Sequence, residues 1–85
     1  MKIEYSKEVK KQLSKIDNSM KIRILDYMDE VAKLENPRSR GKALVGNFNG
    51  FWRYRVGDFR ILCRIKDDEL LILVVDIGHR SKVYE

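Results

Sequence analysis

Hydrophobic residues change their period twice along this chain, from two to about four and back to two. Lys2 to Tyr5 alternates polar and apolar positions and predicts a short strand with Ile3 and Tyr5 on its buried side. Ser6 follows as a candidate N-cap. Val9, Leu13 and Ile16 then recur at the spacing of one helical face, while Lys7, Lys10, Lys11 and Lys15 point to water. Asp17-Asn18-Ser19 interrupts this short amphipathic helix and offers new caps. A second helix is expected from Met20 to Leu34, with Ile24, Met28, Val31 and Ala32 along one side and Leu25 beside them. Asn36-Pro37 ends it, because the residue before a proline is pushed out of the helical region.

The period of two returns after a basic, glycine-punctuated connection from Pro37 to Gly50, in which Ala43-Leu44-Val45 is a candidate short strand. Gly57-Asp58 reads as a two-residue hairpin turn, since glycine supplies the positive φ that such turns require. That turn sets a register: Val56 opposite Phe59, Arg55 opposite Arg60, Arg53 opposite Leu62. Alternation then places Arg53, Arg55, Arg60 and Arg64 on one face. Trp52, Tyr54, Val56, Phe59, Ile61, Cys63 and Ile65 take the other, as the lining of a core. Asp67-Asp68 is expected to turn the chain into Leu70 to Ile77, eight residues apolar but for Asp76. Such a segment predicts an interior strand covered on both faces. Its odd-numbered residues, Leu71, Leu73 and Val75, are expected on the arginine side, where the C-terminal segment or a partner protein would cover them. The fold predicted is α+β: an N-terminal strand and two helices packed on one face of a curved, mainly antiparallel sheet of about four strands.

Eighty-five residues suffice for one domain, residues 1–85, with one modest core. The net charge is +5 and it is unevenly spread. Pro37 to Lys66 holds eight basic residues against the single acid Asp58, a balance of +7, so the remainder holds ten basic and twelve acidic residues, a balance of −2. A basic half of this kind is the electrostatic footprint expected for nucleic acid, with Arg38, Arg40, Lys42 and Arg64 as candidate RNA-binding residues. One cysteine and one histidine supply no cluster for a zinc site, and Cys63 falls on the core side. No metal and no small-molecule cofactor are expected. The N-terminus has no apolar signal region and no stretch approaches a membrane span, so a cytoplasmic protein without membrane partners is expected.

Like charges opposite one another across a hairpin destabilise it by up to about 1 kcal/mol per pair, so folding alone does not call for the arginine row. A polyanion would, because guanidinium groups grip phosphate oxygens in a bidentate fork. Metal-free RNA cleavage needs a base for the 2′-hydroxyl proton, cations for the charge developing on phosphate oxygens, and an acid for the departing 5′ oxygen. Arg53, Arg55, Arg60 and Arg80 suit the role of phosphate clamps, being poor proton carriers at neutral pH. His79 is the natural proton-transfer group and Tyr84 a candidate for stacking on an unpaired base. Gly78 would let His79, Arg80 and Tyr84 turn toward the surface of Arg55 and Arg60. These residues support a single-stranded RNA binder or a nuclease.

Trp52 to Leu62, followed by Ile77-Gly78-His79-Arg80-Ser81-Lys82-Val83-Tyr84, resembles the RelE family of bacterial and archaeal toxins. The similarity spans nearly the whole chain and includes the leading strand, Asn36-Pro37-Arg38 after the helical pair, and the Leu44-x-Gly46 step. The resemblance implies a ribosome-dependent endoribonuclease that enters the A site, cuts mRNA to leave a 2′,3′-cyclic phosphate, and is held inactive by a cognate antitoxin. It also implies that the family's two strand lysines correspond to Arg53 and Arg55, its hairpin arginine to Arg60, its C-terminal arginine to Arg80 and its late tyrosine to Tyr84. Arginine in place of lysine weakens the case for a base at 53 or 55 and strengthens His79; which group is acid and which is base stays open. The chain ends just after Tyr84, so the further C-terminal helix of some relatives is expected to be absent, leaving an apolar groove as an antitoxin seat. The same superfamily contains ParE-type toxins that poison DNA gyrase without nuclease residues, and a non-catalytic RNA-binding module is a third alternative.

Overall fold

The computed structural model describes residues 1–79. Strand β1 (Lys2–Tyr5) leads into helix α1 (Lys7–Ser14), helix α2 (Asn18–Lys33), and strands β2 (Lys42–Ala43), β3 (Trp52–Val56), β4 (Phe59–Lys66) and β5 (Leu71–His79). The sheet has five strands in the order β1-β5-β4-β3-β2, one more than the four expected. β1 lies parallel to β5 and the other neighbours are antiparallel, so the sheet is mixed.

Local chemistry sets the helix ends. The Ser6 hydroxyl accepts a hydrogen bond from the Val9 amide at 3.1 Å, and the Asp17 carboxylate accepts from the amides of Ser19 and Met20 at 3.3 Å each. Each cap satisfies donors that a helix N-terminus leaves unpaired. The helices bury Val9 and Leu13 from α1 and Ile24, Met28 and Val31 from α2 against Tyr54, Val56, Ile61, Cys63, Ile72, Val74 and Ile77 of the sheet. Cys63 is fully buried, and burial pushes its thiol pKa up. It is a small core hydrophobe, as its place in the alternation predicts.

The β3–β4 register matches the expected one pair for pair: Val56 with Phe59, Arg55 with Arg60, Arg53 with Leu62. Gly57 has φ +57° and Asp58 is not among the positive-φ residues, the pattern of a II′ turn. β5 departs from expectation. A bulge shifts the ladder between Leu62 and Cys63, so that Cys63 faces Val74 while Leu62 faces Asp76, and Val75 is the extra residue. Leu71 and Leu73 share the arginine side as expected, but beyond the bulge that side passes to Asp76 and Gly78.

The connection from α2 to β3 is pinned to the helix side. The buried Tyr54 hydroxyl donates to the Pro37 carbonyl at 2.7 Å, and the Trp52 indole donates to the Arg40 carbonyl at 2.8 Å. Gly41 sits between them with φ +79°, where an added Cβ would lie 2.4 Å from the Arg53 carbonyl oxygen. Gly41→Ala therefore combines backbone strain with a backbone clash, and a loss of about 2 kcal/mol or more is expected as a lower urea midpoint.

Tyr5 is half-buried against the core. Burial first, then the charge of Asp29, pushes its phenol from 10.0 up to about 12. A raised folded-state pKa of this sign leaves stability intact below the ordinary value of 10.0 and removes it as pH climbs toward about 12. Unfolding followed by urea titration from pH 8 to pH 12 should show that decline, and Tyr5→Phe should make it shallower.

Candidate functional site

Three rows of side chains cross the sheet on the face opposite the helices, and each follows from the register. The first holds Arg55, Arg60 and Gly78; the second Lys42, Arg53, Leu62 and Asp76; the third Arg64, Leu73 and Glu4. Adjacent strands lie about 4.8 Å apart, so the cations of neighbouring strands are direct neighbours. Arg55 faces Arg60 and Lys42 faces Arg53, two like-charge pairs. Lys42, Arg55 and Arg64 are exposed and Arg53 is half-buried. Arg60 is only 6% exposed. Gly78 is its facing residue in β5.

A small pocket of about 50 Å³ opens where the hairpin turns, lined by Arg55, Gly57, Asp58 and Arg60. It is the size of a single oxyanion rather than of a base. Beside it the open face deepens into a hollow of about 630 Å³, walled by Phe48, Phe51, Leu62 and Arg64 on one side and by Glu8, Gln12 and Asp76 on the other. The Arg64 guanidinium stacks over the Phe51 ring at 4.7 Å, and Phe48 meets Phe51 edge-to-face at 6.5 Å. Gln12 finishes the sheet edge where β1 stops. Its amide accepts from the Ile77 N–H at 2.9 Å and donates to Asp76 Oδ1 at 2.6 Å. Two members of this site, Gln12 and Asp58, were not among the residues expected. Asp58 was legible only as a turn residue, and a lone glutamine on a helix carries no signal that it will cap a distant strand.

Several expected residues lie elsewhere. Arg38 donates both Nη groups to the Asp67 carboxylate at 2.9 Å and lies 6.0 Å from the Trp52 ring, on the helix side of the sheet. Its fork holds the Asp67 carboxyl below the usual carboxylate range. Arg40 reaches Glu30 at 3.3 Å and stacks on Tyr27 of α2 at 5.5 Å. Neither joins the arginine face, because the connection carrying them wraps to the helix side. His79 also departs from its expected place: it pairs with Phe59, a core-side residue, and the two rings meet edge-to-face at 5.4 Å. The bulge in β5 has exchanged the faces, taking His79 to the side opposite Arg55 and Arg60. Arg80 and Tyr84 lie outside the described residues.

Residues 3–84 match the profile of the ParE toxin of the type II toxin-antitoxin system, parDE. The chain belongs to this toxin family, within the RelE/ParE superfamily. No curated protein matches the sequence. Among solved structures, the toxin resembles a chain of the RelBE2 toxin-antitoxin complex of Mycobacterium tuberculosis, with TM-score 0.84 and 20% identity over 95% of this chain and 92% of that one. It also resembles chains of the archaeal RelE-RelB complex of Pyrococcus horikoshii (TM-score 0.75, 20% identity, 96% and 97% covered) and of the intact Escherichia coli RelBE complex (TM-score 0.74, 11% identity, 92% and 94% covered). At these identities the likeness establishes the fold: two helices on a five-stranded mixed sheet, as in RelE structures.

The like-charge pair at the toxin's hairpin generates a direct test. Arg55→Gln removes a cation facing Arg60 and should raise stability by up to about 1 kcal/mol at low ionic strength. The gain should shrink as salt screens the repulsion, which denaturant titrations at two salt concentrations would show.

Proposed function

We propose that this toxin is a ribosome-dependent mRNA endoribonuclease that cuts in the A site without a metal ion. The observation that carries this reading is the pocket between Arg55 and Arg60, an anion-sized hollow whose two arginines face each other across the hairpin. Two guanidinium groups on facing strands match the bidentate grip that a phosphate's oxygens accept. In the proposed reaction the 2′-oxygen attacks phosphorus, the bond from phosphorus to the 5′ oxygen breaks with its electron pair leaving on that oxygen, which takes a proton from water, and a 2′,3′-cyclic phosphate remains. Arg55 and Arg60 stabilise the charge that builds on the non-bridging oxygens. Arg53 and Lys42, in the next row, hold the neighbouring backbone, and Phe48, Phe51 and Arg64 offer a stacking wall for an unpaired base.

The proton from the 2′-hydroxyl must leave with the attack. His79 lies on the opposite face, so this reading assigns the proton to Asp58, the carboxylate lining the same pocket. Arg80 and Tyr84 keep the roles of phosphate clamp and base-stacking partner implied by the resemblance. A cognate antitoxin is the proposed protein partner, supported by toxin-antitoxin complexes among the structural relatives.

The family match favours a second reading, a DNA gyrase poison that does not cleave RNA. Sequencing mRNA ends on purified translating ribosomes separates the two. The nuclease reading expects new ends inside A-site codons; intact mRNA together with inhibited gyrase supercoiling would replace it with the second. Within the nuclease reading, Arg55→Gln should slow cutting by about 10²- to 10³-fold, the usual cost of removing one stabiliser of transition-state charge. Asp58→Asn should slow it by about 10²-fold or more, and His79→Ala should leave it near the wild-type rate. A His79→Ala enzyme as slow as Asp58→Asn would return the base to position 79.

A further inference from the structure

When the bond from phosphorus to the 5′ oxygen breaks, that oxygen carries the electron pair and must gain a proton. A side chain positioned to deliver it contributes about 10²- to 10⁴-fold in rate. The donor must hold a proton at neutral pH and be able to release it. Arginine meets only the first condition, which sets aside Arg53, Arg55, Arg60 and Arg64. His79 lies on the opposite face. In the two rows nearest the hairpin turn, Lys42 is the one cation that is not an arginine.

The register puts Lys42 where such a donor is needed. β2 pairs with β3 so that Lys42 stands opposite Arg53, in the row next to Arg55 and Arg60. Strands about 4.8 Å apart, with about 6.8 Å between successive positions of one face, set its Cα about 8 Å from that of Arg55. A four-carbon stem covers most of that gap. Asp58 lies on the other side of the Arg55–Arg60 pair, in the turn. Displacement at phosphorus runs in line, so the attacking 2′ oxygen and the departing 5′ oxygen stand on opposite sides of the phosphate. An anion between Arg55 and Arg60 therefore has a carboxylate toward the turn and an ammonium away from it.

The backbone that carries Lys42 is fixed while its head is free. The Arg40 carbonyl accepts from the Trp52 indole at 2.8 Å, and Gly41 approaches β3 so closely that a Cβ would lie 2.4 Å from the Arg53 carbonyl oxygen. Lys42 itself is exposed and makes no ion pair or side-chain hydrogen bond among the described residues.

From this placement we infer that Lys42 is the general acid of the cleavage. The inference rests on the nuclease reading above and adds to it the group that releases the 5′ product. Asp58 takes the proton of the 2′-hydroxyl as that oxygen bonds to phosphorus. The electron pair of the breaking bond passes to the 5′ oxygen, which takes a proton from the Lys42 ammonium and leaves as a hydroxyl. The neutral amine then recovers a proton from water, so Lys42 relays to the product a proton that water replaces.

The test uses the full chain on ribosomes carrying a synthetic mRNA, with cutting followed in a single turnover at saturating toxin. The A-site codon holds either the ordinary linkage or one with sulfur in place of the bridging 5′ oxygen, a thiolate that departs without needing a proton. Lys42→Gln should cut the ordinary linkage about 10²-fold or more slowly than wild type and the sulfur linkage at the wild-type rate. Lys42→Arg, which keeps the charge and cannot give up the proton, should show the same pattern. Arg55→Gln, which removes charge stabilisation from the phosphate, should be slow on both. A Lys42→Arg toxin at full rate on the ordinary linkage, or a Lys42→Gln toxin equally slow on both linkages, overturns the assignment and makes Lys42 a contact to the backbone. A Lys42→Gln toxin at full rate on both linkages removes Lys42 from the chemistry and leaves the nuclease reading standing. Wild-type toxin that cuts neither linkage removes the nuclease reading and the acid with it.

Discussion

The register of the β3–β4 hairpin is the constraint on which the site depends. β3 alternates core residues with cations, so a slip of one residue would bury Arg53 and Arg55 and expose Tyr54 and Val56. Burying even one unpaired guanidinium costs far more than the up to about 1 kcal/mol lost by facing two arginines across the ladder. The hairpin therefore accepts the smaller penalty to avoid the larger one. Gly57 fixes the turn, and Tyr54, Val56, Ile61 and Cys63 fix the face. The facing pair Arg55 and Arg60 is thus held in place by the core beneath it.

The bulge in β5 is the second determinant. Without it, His79 would stand beside Arg60's row and Asp76 would be directed into the core. With it, the apolar residues Ile72, Val74 and Ile77 all reach the helices, while Asp76 and Gly78 are delivered to the open face. Gln12 closes the arrangement from α1 by satisfying the Ile77 amide, a donor that β1 is too short to reach.

The hairpin was legible because two independent signals, turn chemistry and alternation, agreed on one register. The helix caps were legible for a similar reason, Ser6 and Asp17 each standing before an amphipathic run. The bulge was hidden because Leu71 to Val75 is uniformly apolar, and a segment without alternation gives no sign of where its phase changes. The parallel pairing of β1 with β5 was equally hidden, since it joins segments about 69 residues apart in the chain, and so the sheet gained a strand. Arg38 and Arg40 were drawn into the predicted site by their neighbours in sequence. In space Arg38 pairs with Asp67 in the turn before β5 and Arg40 with Glu30 of α2, away from the arginine face.

Once those two arginines are set aside, the positive charge of the toxin divides by residue type as well as by position. The sheet face uses arginine, whose planar fork suits a fixed phosphate in a defined pocket. The outer side of α1 carries lysine instead. The acidic residues divide as well: Glu4, Glu8, Asp58 and Asp76 border the arginine face, Asp26, Asp29, Glu30 and Glu35 follow the second half of α2 and the residues just after it, and Asp67, Asp68 and Glu69 form the turn before β5. The field over the open face is therefore set by Lys42, Arg53, Arg55, Arg60 and Arg64 against the acids at its edges, with the cations brought together at the hairpin where Arg55 faces Arg60.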